Sequence, residues 1–319
     1  MTDPILEAPL LSRTDPALAR PLPAAIARAR TDVIAAARDL LAIPGSRLAD
    51  PWTWIGRGGE VEIRDGAYRA AEALEKAEVE ARAGGAAVAG AAVAGAAVGA
   101  HRAADLVGPS TAARWDLHGL LLALDDRLLD ADPGAGEWTI RLTLGHIISG
   151  QRGYGWGSAW WLQQGLALTD PDLPPGAPES LWDALPDEAT TEAAGSIEDL
   201  RARLDASLDL TTERLAGIPD DRVDLGSRWS GFPVTLGFRF GRWGSHIREH
   251  TIQVEKTLAM LGHVPDEPAR LARHVLAGYG RAEAVVFGQP GAEAAAERIA
   301  QGATEARTVI NEARTAAGA

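Results

Sequence analysis

Cysteine is absent from the chain. No disulfide, thiolate metal site or protein thiol nucleophile can therefore be built, and any thiol chemistry must use a thiol brought in as a co-substrate. An excess of positive charge is also missing: the formal net charge is −13 and the pI near 5.0. Nucleic acid needs a basic face, and anionic membrane surfaces need the same, so neither is an expected partner. The opening Met1-Thr2-Asp3-Pro4 has neither a basic segment nor an apolar one after it. A secretory leader is not expected, and a cytoplasmic setting is. Strand-like alternation is lacking too, apart from a short extended piece near Val234, so the expected fold is all-α.

Bulky apolar runs are scarce. The longest uncharged stretch, Ala83 to Ala100, holds alanine, glycine and valine, with Ala86-Ala87-Val88-Ala89-Gly90 repeating at once as Ala91-Ala92-Val93-Ala94-Gly95. These side chains bury too little area to drive membrane insertion. The run reads as a low-complexity helical continuation or a flexible link.

What is present is helical periodicity over 319 residues, 46% of them hydrophobic, enough for one large or two small domains. The expected division is a loose or extended, proline-rich N-terminal arm over 1–20, a helical pair over 21–82, the Ala/Gly-rich segment over 83–103, a bundle over 104–264 and a second pair over 265–319. The first pair comprises a helix over Ala24–Leu41, a loop from Pro51 to Gly59 and a helix from Ile63 past Glu80. The bundle helices fall at Thr111–Leu129, from Thr139 onward, at Ser196–Leu215 and at Thr235–Leu261. Asp199 follows Ser196 at capping-box spacing, and a proline-rich loop spans Asp170 to Leu185. The tail gives helices over Glu267–Val286 and Ala292–Ala316.

Leu40 leads through Asp50-Pro51 to Trp52, Leu121 leads through Asp132-Pro133 to Trp138, and Leu215 leads through Pro219 to Asp224. The echo reads either as common helix-to-turn grammar or as a diverged duplication, with the first two helices pairing with the last two in a second bundle. Around Trp52 no histidine stands where His146 stands, so such a half would be metal-free.

Chemistry concentrates on three histidines. His246 and His250 are four residues apart in a helical run, which puts both imidazoles on one face. His146 sits among Ile140, Leu144, Ile147 and Ile148, so its ring lies near a core-facing position and needs a partner there. Ile252, Val254 and Leu258 give the other histidine helix a buried side. Three imidazoles with open coordination positions make a pattern of catalytic rather than structural metal sites. His101, His118, His263 and His274 lack such a setting and read as surface or ordinary core residues. Glu249 lies between the pair in sequence but about 100° around the helix from each neighbour, so it is not assigned as a base. Arg152 and Arg248 are candidates for holding an anionic thiol or a substrate carboxylate. Tyr154, Trp156, Trp160, Trp161 and Trp243 either line a pocket or pack the core, the commoner role.

The Trp138-Thr139-Ile140-Arg141 helix start followed by His146-Ile147, with the distant His246-x-x-x-His250 helix, resembles the DinB-like metal-binding four-helix bundles. Arg228-Trp229-Ser230-Gly231 ahead of the last bundle helix fits the same pattern. The resemblance covers roughly Ala104 to Val264. That family includes transferases and maleylpyruvate isomerases that use mycothiol, bacillithiol or related thiols. The resemblance implies a DinB-like bundle with additional N- and C-terminal helices, in which His146, His246 and His250 bind one divalent ion. Zn, Ni, Fe and Mn all suit three imidazoles. It also implies a small-molecule thiol or electrophilic substrate as partner, with a homodimer compatible. Heavy use of alanine, glycine and arginine fits a GC-rich source such as an actinobacterium, where the thiol would be mycothiol. The other expectations are a non-enzymatic, stress-related metal-binding or partner-binding protein, and a metal-dependent hydrolase.

Overall fold

The computed structural model describes residues 13–54, 59–93, 102–168, 174–288 and 291–319. Helices dominate it, with two small antiparallel hairpins. The long helices are α1 (Ala24–Leu41), α2 (Asp65–Val93), α3 (Arg102–Leu121), α4 (Ile140–Gln164), α6 (Ile197–Leu215), α8 (Leu236–Met260), α9 (Glu267–Glu283) and α10 (Ala292–Ala317). Two short helices, α5 (Glu179–Asp183) and α7 (Asp220–Val223), lie in the connections. No helix among the described residues is long and apolar enough to cross a membrane.

Local chemistry sets the helix ends. The Thr139 and Thr235 hydroxyls accept from the third backbone N–H of α4 and α8, and Ser196 and Asp199 form a reciprocal capping box at α6. Gly165, in the left-handed region at φ 62°, closes α4.

The chain folds into two four-helix units side by side. Helices α3, α4, α6 and α8 pack as one, and α1, α2, α9 and α10 as the other, with α3 against α9 forming the seam. The terminal pairs thus pack on each other as a second bundle rather than separately beside the first. The two units share an order of elements. In one, α6 leads through α7 to a hairpin of β3 (Gly226–Trp229) and β4 (Phe232–Thr235), then into α8. In the other, α1 leads through a 3-10 turn at Gly45–Arg47 to a hairpin of β1 (Pro51–Trp54) and β2 (Gly59–Glu62), then into α2.

Several expectations are corrected. The Pro51 segment is a hairpin, not a loop, because Trp52 packs into the second core and Trp54 against it. The proline-rich loop contains α5, whose Leu181 is buried. From residue 13 the N-terminal arm is docked: Thr14 is buried, Leu18 packs on the core, and the Arg20 amide donates to Glu213 O. Helix α3 begins and ends earlier than expected, and a 3-10 turn at Asp126–Leu128 follows it. Ile252 is exposed, although Val254 and Leu258 are buried. Helix α2 runs through the first part of the Ala/Gly-rich segment to Val93, and the rest of that segment lies outside the described residues.

Small residues make the second core tight. Gly302 lets α10 approach α2 so closely that a Cβ there would sit 2.6 Å from Ala77 Cβ. In the first unit the apolar core divides in two. Leu117, Ile147, Leu204, Ile247 and Leu258 fill one end, and Trp156, Trp161, Leu215, Phe240 and Trp243 the other. Along α4 and α8, Gln151, Arg152 and His246 are buried polar side chains.

Candidate metal centre

His146 projects from α4, and His246 and His250 from successive turns of α8, which packs against α4. Their ring centroids lie 5.2 Å (146 to 246), 4.6 Å (146 to 250) and 4.4 Å (246 to 250) apart. One nitrogen from each falls within 4.8 Å of the others. Gly150 makes this possible, because a Cβ there would meet His246 Cε1 at 2.6 Å. His246 is buried, whereas His146 and His250 are partly exposed, so the cluster opens towards solvent on one side. Trp138 packs edge-on against His146 at that rim, with centroids 5.3 Å apart.

The Nδ1 atoms are all in contact with side chains. His146 Nδ1 lies 3.1 Å and 3.2 Å from the Glu188 carboxylate oxygens, and His250 Nδ1 lies 2.8 Å from Gln253 Oε1. Both contacts favour a proton on Nδ1, which fixes the tautomer and frees Nε2 as a ligand. At His246 the sense differs: Gln151 Nε2 lies 3.3 Å from Nδ1 and donates to Trp243 O at 3.2 Å. Ligation through Nε2 of His246 would require the Gln151 amide to turn and accept from Nδ1.

Burial, then the neighbouring His250 and His146, pushes the His246 pKa down to about 3. His250 is also lowered, first by burial, against the opposing hydrogen bond that its Nδ1–H donates to Gln253 Oε1. His246 and His250 are therefore unprotonated nitrogen donors at neutral pH, and imidazole nitrogen is the donor that a divalent transition ion takes. The residues present fit such an ion.

Glu188 reaches His146 from a π-helical turn over Glu188–Glu192. This turn is clamped to α4: Arg152 donates to the Glu192 carboxylate at 2.5 Å and 3.1 Å, and Arg141 donates to Ala193 O and Gly195 O. Arg203 of α6 holds Glu192 O at 2.7 Å. Gly145 permits the approach, since a Cβ there would sit 2.8 Å from Glu188 O.

This arrangement reassigns several expected site residues. Arg152 is buried and committed to Glu192, so it positions the turn rather than meeting a ligand. Arg248 is exposed, about 200° around α8 from His246, and faces away from the cluster. Trp156 and Trp243 are fully buried in the core. Tyr154 does stand at the site, its ring 5.1 Å from His246 and 5.3 Å from Trp229. Burial raises its phenol pKa, opposed by Arg242.

The arginine beside the cluster is Arg242, which binds the Glu249 carboxylate at 2.7 Å and 2.9 Å and lies over Trp229. Its spacing was a usable signal, because Arg242 precedes His246 by four residues and so shares its face. Glu188 had no such signal, being brought in by a distant turn. His118, read as surface or ordinary core, is fully buried and bonded to Asp205 at 2.7 Å.

A four-helix bundle with a three-histidine cluster that could hold a metal ion is the class that this geometry defines. Residues 111–254 match the family model of the DinB superfamily, and this bundle belongs to that superfamily. No curated protein and no solved structure matches the chain.

Proposed function

We propose that this protein is a metal-dependent transferase or isomerase acting with a low-molecular-weight thiol, of which mycothiol is one example. The observation that carries the reading is the convergence of three imidazoles on a rim open to solvent. A divalent ion held by His146, His246 and His250 would lower the pKa of a thiol and make it nucleophilic near neutral pH. The chain has no cysteine, so the thiol would come from outside. A cytoplasmic setting, which keeps such thiols reduced, fits this reading.

The protein's own residues would orient the reactants. Tyr154 offers a phenol that burial keeps protonated, hence a hydrogen-bond donor beside the cluster. Arg242 places positive charge at the same edge, partly offset by Glu249. The carboxylates nearest the histidines, Glu188 and Glu249, are engaged with His146 and Arg242. That favours activation of an incoming thiol over hydrolysis with a carboxylate base.

The test begins with metal content of untagged protein, in the parent and in His146→Ala, His246→Ala and His250→Ala. One divalent ion per chain is expected, with sharp loss in each variant. A thermal-shift screen of metal-loaded protein against cellular thiols should then give at least one stabilising thiol, absent in His246→Ala. Metal binding without any thiol response or thiol-conjugating activity would favour a non-enzymatic, partner-binding role.

A further inference from the structure

Arg239 lies seven residues before His246 on α8 and enters the interior, where it is 4% exposed. Its guanidinium stacks over Trp161, 4.3 Å from the ring centroid, and over Trp229 at 5.3 Å. Nη1 donates to Arg228 O at 2.9 Å, and Nε is buried without a partner. Among the described residues no carboxylate pairs with it, unlike the buried Arg114 and Arg152. Burial lowers its pKa to about 10, so it remains charged at neutral pH. A buried unpaired cation is costly unless something balances it.

What this cation faces is a cleft of about 360 Å³, lined by Trp161, Trp182, Trp229, Ala177, Arg228 and Arg239. The volume falls in the range that takes a small organic ligand. Gly157 leaves the room: a Cβ there would sit 2.7 Å from Arg239 Nη2 and 2.9 Å from Trp182 Cη2. A second cation comes from the β3–β4 hairpin, where Ser230 turns the chain at φ 50° and accepts from Arg228 Nε at 3.2 Å. The cleft is separate from the histidine cluster, with Trp229 and Tyr154 forming the wall between them.

We infer that this cleft binds a small planar organic acid, its carboxylate paired with Arg239 and Arg228 and its apolar body held among the three tryptophans. Guanidinium groups match a carboxylate with paired hydrogen bonds, and the anion balances the charge that the protein leaves unpaired. Indole faces supply the apolar contact. The inference goes beyond the proposed thiol chemistry and does not depend on a metal.

The test is isothermal titration of the full-length protein with 2-naphthoate, and with 2-naphthamide as its uncharged counterpart. The acid should bind at least about tenfold more tightly than the amide, and inorganic phosphate should bind no better than the amide. Arg239→Met should weaken naphthoate binding by about tenfold or more and, having removed an unpaired buried charge, melt no lower than the parent. Arg228→Met, on the half-buried hairpin, should weaken binding without disturbing the core. His246→Ala should leave binding unchanged, which separates this site from the metal reading. Equal binding of acid and amide, undiminished binding by both arginine variants, or no binding of naphthoate at all would overturn the inference.

Discussion

Gly150→Ala is the most direct probe of the histidine cluster, because one added methyl group acts on one ligand ring. The new Cβ would lie 2.6 Å from His246 Cε1, 3.2 Å from Nε2 and 3.3 Å from Nδ1. Carbon atoms in contact sit about 3.5–4.0 Å apart, so the ring must move by roughly 1 Å. Tyr154 and Gln151 bracket it on other sides, so the movement cannot be absorbed freely. Overpacking costs about 1–3 kcal/mol, while alanine for glycine inside a helix returns up to about 1 kcal/mol. The metal-free variant should therefore lose about 0–2 kcal/mol. Metal affinity should fall more, by about ten- to a hundredfold, the range seen when a ligand's supporting contacts are disturbed. Gly153→Ala, three residues on in the same helix, is the control. Its Cβ would meet nothing nearer than Leu185 Cδ1 at 3.6 Å. It should gain about 0.5–1 kcal/mol with metal affinity unchanged. Affinities measured by chelator competition, with denaturant melts of the metal-free proteins, decide the matter. A Gly150→Ala protein that binds metal as the parent does would refute His246 as a ligand packed against α4.

Acid sensitivity of the metal-free protein should trace partly to His246. Its folded pKa of about 3 lies below its ordinary 6.5, so the unfolded chain binds more protons between those values. The stability at stake is complete above about pH 6.5 and is lost as pH falls towards 3, amounting to a few kcal/mol. A His246→Asn variant should flatten this limb of the denaturation-versus-pH curve, and an unchanged difference between the two proteins would contradict the assignment. Glu283 is fully buried, accepting from Arg30 at 2.6 Å, Arg114 at 2.5 Å and Trp115 Nε1 at 3.1 Å. Arg114 and Arg30 also bind Asp209 of α6, so the network joins the two bundles. Glu283→Gln should cost about 3–5 kcal/mol by leaving buried Arg114 and half-buried Arg30 underpaired, and a chemical melt within about 1 kcal/mol of the parent would show the network to be dispensable.

The sequence by itself determined the helices, because their signals are local. Apolar spacing, the Thr139 and Thr235 caps and the Ser196–Asp199 box act within one or two turns, and the helices start where those residues stand. It also paired His246 with His250, since four residues on a helix fix a shared face. Strands of four residues carry too little pattern to read, so the β1–β2 hairpin became visible only once Trp52 had a core to enter. Only the tertiary structure set Glu188 on His146, buried Arg152 against Glu192 and turned Arg248 outward. It alone brought α1 and α2 onto α9 and α10 as a second bundle, and left Arg239 charged and unpaired beside three tryptophans. The physical reason is common to these cases. Helix geometry relates residues three or four apart, whereas the partner of a buried charge is chosen by whichever distant segment packs over it.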